Sequence, residues 1–262
     1  MLVASLVLVG LSACSSDDAG SVVSSAATDA TIEQLRVEVV STAPHDTGAF
    51  TEGLEVDGAQ VYESTGLEGR STIQRSDLAT GAVQAHQALD PALFGEGVTL
   101  AGDRLWQLTW KNGVAISRDP QTLAETGRVG FDGEGWGLCA QPDRLVMSNG
   151  SATLTFRDRT TFAVLGTVDV TAAGAPLTRI NELECTPDGQ VWANVWQTDQ
   201  IVRIDPTTGH VGAVVDAAGL LTTEQAASAD VLNGIAALPG TDEFLVTGKL
   251  WPTAFTVRFV AK

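Results

Sequence analysis

Five short signatures recur along the chain at nearly constant spacing, and that spacing limits what it can fold into. They read Phe50-Thr51-Glu52-Gly53, Phe94-Gly95-Glu96-Gly97, Gly133-Glu134-Gly135-Trp136-Gly137, Asn181-Glu182-Leu183-Glu184 and Leu232-Asn233-Gly234-Ile235. The steps between Glu52, Glu96, Trp136, Asn181 and Asn233 are 44, 40, 45 and 52 residues. Such a period marks a repeat architecture, and four-stranded propeller blades are its usual form at this length.

Each signature is followed by an apolar run, a polar turn and a second apolar run. In the first unit these are 54–56, 57–60 and 61–65; in the second 98–100, 101–104 and 105–110; in the third 138–140, 141–144 and 145–148. The fourth has 183–185, 186–190 and 191–196, and the fifth 235–238, 239–243 and 244–247. The turns carry Asp-Gly, Gly-Asp, Pro-Asp or Pro-Gly, which punctuate hairpins. A second hairpin follows in four units, with its turn built on Asp77, Asp119, Asp158 or Asp205 and nearby threonines. Such side chains hydrogen-bond their own backbone. Two hairpins per period make four strands per unit. The fifth unit has only 254–260 left, and 35–41 at the other end of the chain supplies its missing outer strand. The expectation is an all-β, five-bladed β-propeller of four antiparallel strands per blade, closed by strands from both termini. A six-bladed ring is the main competitor.

In an antiparallel hairpin the start of the first strand and the end of the second lie at the same end. The signatures and the second-strand ends therefore share one rim. This gathers Phe50, Glu52, Phe94, Glu96, Trp136, Asn181 and Asn233 with Trp110, Trp196 and Lys249 at one mouth of the axis. An aromatic wall with a few polar groups is the usual make-up of a small-ligand site. Trp106 and Trp192 read as packing between units. Glu182, Glu184 and Asn233 are left open between site and scaffold.

Net charge is −17, which excludes nucleic acid as a partner on electrostatic grounds. Residues 1–14 are small or apolar and end Leu11-Ser12-Ala13-Cys14, which resembles a bacterial lipobox with Cys14 as the lipidated residue. No Lys or Arg precedes the apolar run, a departure that points to an upstream start; an ordinary secretory signal with a chance cysteine is the alternative. Residues 15–32, rich in Ser, Ala, Thr and Asp, read as a flexible tether, and 33–262 as the propeller domain. The expected location is exported, lipid-anchored at the outer face of a bacterial membrane or otherwise secreted, with no other membrane contact and no oligomer. Cys139 and Cys185 are either a disulfide or two buried thiols. His45, His86 and His210 are scattered, so a zinc site is not expected.

Ten words resemble one known family. They include Tyr62-Glu63-Ser64-Thr65-Gly66-Leu67, Gln107-Leu108-Thr109-Trp110-Lys111, Gly133-Glu134-Gly135-Trp136-Gly137-Leu138, Ala193-Asn194-Val195-Trp196 and Val246-Thr247-Gly248-Lys249, besides the signatures above. In order, from about Pro44 to Phe259, they are similar to the plant and bacterial type of glutaminyl-peptide cyclotransferase. The resemblance implies a five-bladed propeller that converts N-terminal glutamine of peptides or proteins to pyroglutamate and releases ammonia, with no cofactor required. It places the catalytic glutamate at Glu96, a supporting asparagine at Asn181 and a lysine at Lys249. Substrate would lie among Phe50, Phe94, Trp110, Trp136 and Trp196. At Glu52 the family usually has glutamine, and a second carboxylate beside Glu96 raises at least one pKa of the pair. A structural cation on the axis, such as calcium with oxygen ligands, is left open. Two other functions are weighed: a non-catalytic propeller binding peptides or sugars at the same mouth, and a metal-dependent lactonase-type propeller.

Overall fold

The computed structural model describes residues 1–2 and 31–262. The leader expected at 1–14 with its Cys14, and the tether at 15–32, lie outside the described residues but for their edges.

The chain is all-β. A long strand β1 (Glu33–Pro44) precedes a unit of β2 (Thr51–Asp57), β3 (Gln60–Thr65), β4 (Thr72–Asp77) and β5 (Val83–Ala88). The next unit is β6 (Gly95–Ala101), β7 (Arg104–Thr109), β8 (Val114–Arg118) and β9 (Glu125–Gly130), and the third is β10 (Leu138–Ala140), β11 (Leu145–Met147), β12 (Thr153–Arg157) and β13 (Val164–Asp169). A small hairpin, β14 (Thr171–Ala172) and β15 (Ala175–Pro176), leads to β16 (Ile180–Cys185), β17 (Val191–Val195), β18 (Gln200–Ile204) and β19 (Val211–Asp216). One turn of helix, α1 (Thr223–Ala226), precedes β20 (Leu232–Ala237), β21 (Glu243–Gly248) and β22 (Thr253–Ala261).

The first three units are separate antiparallel four-stranded sheets in sequential order. The last two merge into one eight-stranded sheet, β16-β17-β18-β19-β1-β22-β21-β20. β1 completes the fifth unit by antiparallel pairing with β22, as the sequence predicts. It also pairs in parallel with β19, Glu33 to Arg36 against Ala213 to Asp216, which the repeat does not reveal. The second pairing covers an edge that would otherwise expose unpaired backbone groups. Accordingly every second residue of β19 is buried, whereas the outer strands β5, β9 and β13 are largely exposed.

The Asp turns form as read. Asp77, Asp119 and Asp158 each accept from both the backbone N–H and the hydroxyl of a threonine three residues on. Asp205 accepts from the Thr207 N–H.

Side chains and backbone link the units in a closed cycle of five. Gln107 Nε2 donates to Ser64 Oγ (2.8 Å), the Gly97 N–H to Trp136 O (2.7 Å) and Ser148 Oγ to Asn181 O (2.6 Å). The Gly234 N–H donates to Asn194 Oδ1 (3.0 Å), and Asn233 Nδ2 returns to Thr51 O (3.0 Å). The first strands pack side by side in the same cyclic order, β2 with β6 and finally β20 with β2. Glycine makes this approach close: a Cβ on Gly97 would lie 2.5 Å from Trp136 O, and one on Gly137 would run into Asn181 O. Cys139 of β10 and Cys185 of β16 form a disulfide between the third and fourth units, Cα atoms 5.3 Å apart.

Trp106 and Trp192 pack between units as expected. The Trp106 indole donates to Arg159 O and its ring meets Phe162 at 5.0 Å, while Trp192 meets Phe244 at 5.3 Å and Phe259 at 4.9 Å. Glu182 and Asn233 belong to the scaffold. Glu182 accepts from the Leu54 N–H (3.2 Å) and the Ile235 N–H (2.9 Å), so one carboxylate bridges three units.

Candidate active site

Four first strands begin with an irregularity, and the polar signature residues sit in it. Register shifts fall between Thr51 and Gly53, Gly95 and Val98, Ile180 and Leu183, and Leu232 and Ile235. Glu52, Glu96, Asn181 and Asn233 lie within those intervals. An extra residue in one strand unpairs the backbone locally and re-aims a side chain. Three of the four, Glu52, Glu96 and Asn181, thereby line one cavity of about 390 Å³. Phe50, Phe94, Trp110, Trp136, Trp196 and Lys249 line it too, so all nine site residues expected from the sequence converge there.

The aromatic wall is continuous. Phe50 meets Phe94 edge-on at 6.4 Å, Phe94 meets Trp110 at 5.4 Å, and Trp136 meets Trp196 edge-on at 5.5 Å. The two parts join at Glu134, whose Oε2 accepts from both the Trp110 and the Trp136 indole.

The polar floor is buried: Glu52 and Asn181 are 2% exposed, Glu96 5% and Lys249 6%. Lys249 Nζ lies 2.6 Å from each carboxylate oxygen of Glu52 and 4.6 Å from the centre of the Phe50 ring. Burial pushes the Glu52 carboxyl up to about 7 even though Lys249 opposes the shift. Burial raises Glu96 well above the usual carboxylate range, and the Glu52 charge raises it further. Lys249 stabilises the charge of Glu52, so the geometry favours Glu96 as the member of the pair that keeps a proton. Asn181 Oδ1 is buried and has no hydrogen-bond partner among the described residues. An unspent amide oxygen at the floor of a cavity is free to accept from a ligand.

Leu67, Gln197, Asp230 and Val231 complete the lining and were not singled out in the sequence. Leu67 and Gln197 follow the second strands β3 and β17 with φ of 81° and 61°. They stand one residue past the slot of Trp110, Trp196 and Lys249, so the rim argument extended by one position would have found them. Asp230 and Val231 stand just before the fifth signature, and Val231 takes the position that Phe50 and Phe94 hold in the first two units.

The axial carboxylates hydrogen-bond to the scaffold. Both oxygens of Glu182 are spent on backbone donors, and Glu55 Oε2 accepts from Thr99 Oγ1 and the Leu100 N–H. Among the described residues no group of three or more His, Cys, Asp or Glu side chains is placed to hold a metal ion.

The fold and cavity define an all-β repeat protein with an aromatic-walled acid–amide–ammonium pocket. The family described as glutamine cyclotransferase matches residues 6–259, and the chain belongs to it. It is 38% identical over 228 residues to the glutaminyl-peptide cyclotransferase of Arabidopsis thaliana, covering 85% of this chain and 71% of that one. The crystal structure of Myxococcus xanthus glutaminyl cyclase superposes with a TM-score of 0.79 at 36% identity, covering 88% of this chain and 99% of that one. The β-propeller domain of Myceliophthora thermophila Cps50 (Swd1) shares the fold alone, with a TM-score of 0.52 at 10% identity over 84% of this chain and 99% of that one.

Proposed function

We propose that the protein is a glutaminyl-peptide cyclotransferase whose Glu96 moves the proton. It closes the N-terminal glutamine of a peptide or protein into pyroglutamate and releases ammonia. The observation that carries the reading is Glu96 buried on the floor of an aromatic cavity beside the Glu52–Lys249 pair, in a chain of this family.

The neutral α-amine attacks the γ-carboxamide carbon, and the new C–N bond makes a tetrahedral oxyanion. Asn181 donates to that oxygen. Lys249 has three N–H donors, of which Glu52 occupies two, and the mechanism assigns the third to the same oxygen. Glu96 gives its proton to the departing nitrogen and takes one from the attacking amine, so it ends the cycle as it began. The C–N bond to the leaving nitrogen breaks and ammonia departs. Such a shuttle contributes about 10²–10⁴-fold. The rings of Phe50, Phe94, Trp110, Trp136 and Trp196 hold the chain folded for attack and exclude water. No step needs a metal, and a chelator is expected to leave turnover unchanged.

The five units read as the five blades of one propeller. The closed cycle of bonds and the likeness to a propeller domain support this. Cys14 reads as the lipid anchor of an exported monomer, supported by its Leu-Ser-Ala-Cys context and tested by mass spectrometry of the mature N-terminus. The function is tested by incubating a Gln-initiated dipeptide with the protein and measuring ammonia; wild-type turnover by Glu96→Gln would remove the shuttle role.

A further inference from the structure

The wall of the cavity is two aromatic groups held by one carboxylate oxygen. Trp110 Nε1 stands 2.8 Å from Glu134 Oε2 and Trp136 Nε1 3.0 Å from the same atom. An indole has one N–H and no acceptor, so each ring spends its whole hydrogen-bonding capacity there. The other oxygen of Glu134 faces Lys111 Nζ at 3.9 Å, and that ammonium lies 3.9 Å from the centre of the Trp110 ring. Lys111, Trp110, Glu134 and Trp136 thus form one array, with Phe94 packed on the first ring and Trp196 on the last. Glu134 itself is not in the cavity lining.

We infer that Glu134 is a positioning residue of the cyclisation pocket: its carboxylate fixes the planes of Trp110 and Trp136 and so sets the shape against which the N-terminal glutamine folds. The inference rests on the cyclotransferase reading. Two bonds to a charged acceptor converge on one atom, and charge-assisted bonds are the shorter and stronger kind. Without them each indole is free to turn about its side-chain bond. The substrate then loses the close, aligned approach of amine to carboxamide carbon on which ring closure depends. Glu134 also acts by its charge, which is among those that keep the proton on Glu96. Geometry and charge are separable, because an amide oxygen can accept from both indoles and carries no charge.

The test compares wild type, Glu134→Gln and Glu134→Ala on a Gln-initiated dipeptide, with kcat and KM measured separately across pH and tryptophan emission recorded on the same samples. The alanine variant is expected to lose about tenfold or more in kcat/KM and to shift its emission to the red. The glutamine variant is expected to keep KM within about threefold and the wild-type emission, while the basic limb of its kcat/KM profile moves to lower pH. Thermal melts of both variants fix the folded fraction. Wild-type KM and emission in the folded alanine variant would overturn the inference, as would equal loss of KM in both variants. If wild type itself releases no ammonia, the cyclotransferase reading fails instead, and the emission arm still decides whether Glu134 holds the two indoles.

Discussion

Lys249 Nζ stands 2.6 Å from both carboxylate oxygens of Glu52, so the ammonium on the cavity floor is held by the carboxylate that neighbours the proposed catalytic acid. Pair and acid cannot titrate independently. Replacing Glu52 by glutamine removes a like charge beside Glu96 and leaves Lys249 unpaired near it. Both changes stabilise ionised Glu96 and lower its pKa. The pH profile of kcat/KM reports groups of the free enzyme. Its basic limb, where Glu96 loses the proton it must donate, is expected to move down by about one pH unit or more in Glu52→Gln. A limb that stays in place in a folded variant would show that Glu96 is not the group titrating there.

Asn181 is the second test of the floor. Its Oδ1 is buried and unpartnered, and the Nδ2 of the same amide is the donor that the proposed mechanism assigns to the oxyanion. Asn181→Ala is expected to lower kcat by about 10²–10³ with little change in KM, the pattern of a donor acting in the transition state. A rise in KM at unchanged kcat would assign Asn181 to substrate binding alone.

Much of this site was legible because repeat spacing and strand geometry act together. A signature at each first-strand start and an aromatic or lysine at three of the five second-strand ends fall on one rim whatever the twist of the sheets. That is why Glu96, Trp110 and Lys249 are brought together from distant sequence. The Glu52–Lys249 pair was not legible, since two rim residues 197 positions apart carry no pattern that marks them as partners. Nor was the role of Glu134. It lies two residues before Trp136, and only the folded chain brings the indole of Trp110 to the same oxygen. In the fold, the completion of the last unit by β1 followed from counting strands. Its parallel pairing with β19 did not, because it depends on how the last two units sit side by side.

The axial acids predict how stability varies with pH. Burial raises Glu55 to about 7, and raises Glu182 and Glu184 well above the usual carboxylate range. A group whose folded pKa is raised contributes stability that is complete below its unfolded value near 4.5 and is lost as pH rises through the folded value. The thermal midpoint is therefore expected to be higher at pH 5 than at pH 8. Glu184→Gln, which removes one of these protons from the balance, should flatten the slope. A wild-type midpoint that climbs between pH 5 and 8 would contradict this assignment.

The Cys139–Cys185 bond closes a loop with a sequence separation of 46 residues. In the chain-entropy account a loop of that length contributes about 4 kcal/mol through the unfolded state. At about 2–4 °C per kcal/mol for a domain of this size, a reductant or the Cys139→Ala/Cys185→Ala pair is expected to lower the midpoint by about 8–16 °C. Calorimetry with and without reductant reads this directly. An unchanged midpoint after complete reduction would mean the bond adds nothing to the packing of β10 on β16.

His45 ties the loop after β1 to the segment that carries Lys249. Its Nε2 lies 2.9 Å from Glu63 Oε1 and its Nδ1 2.7 Å from Trp251 O, so both ring nitrogens donate and the imidazolium is the bound form. Burial alone would lower the His45 pKa, but the bond to Glu63 and its charge outweigh that and raise it. Glu63 moves the other way: burial opposes, yet His45, Thr51 and Gln74 together lower its pKa. The histidine's contribution is complete below its unfolded value near 6.5 and is lost as pH rises through the folded value. The glutamate's is complete above its unfolded value near 4.5 and is lost as pH falls through the folded value. The pair is therefore at full strength between about pH 4.5 and 6.5. His45→Gln is expected to cost about 1–3 kcal/mol at pH 5.5 and distinctly less at pH 9, read as the difference in thermal midpoint from wild type. An equal loss at both pH values would mean that His45 contributes by packing and not by its charge.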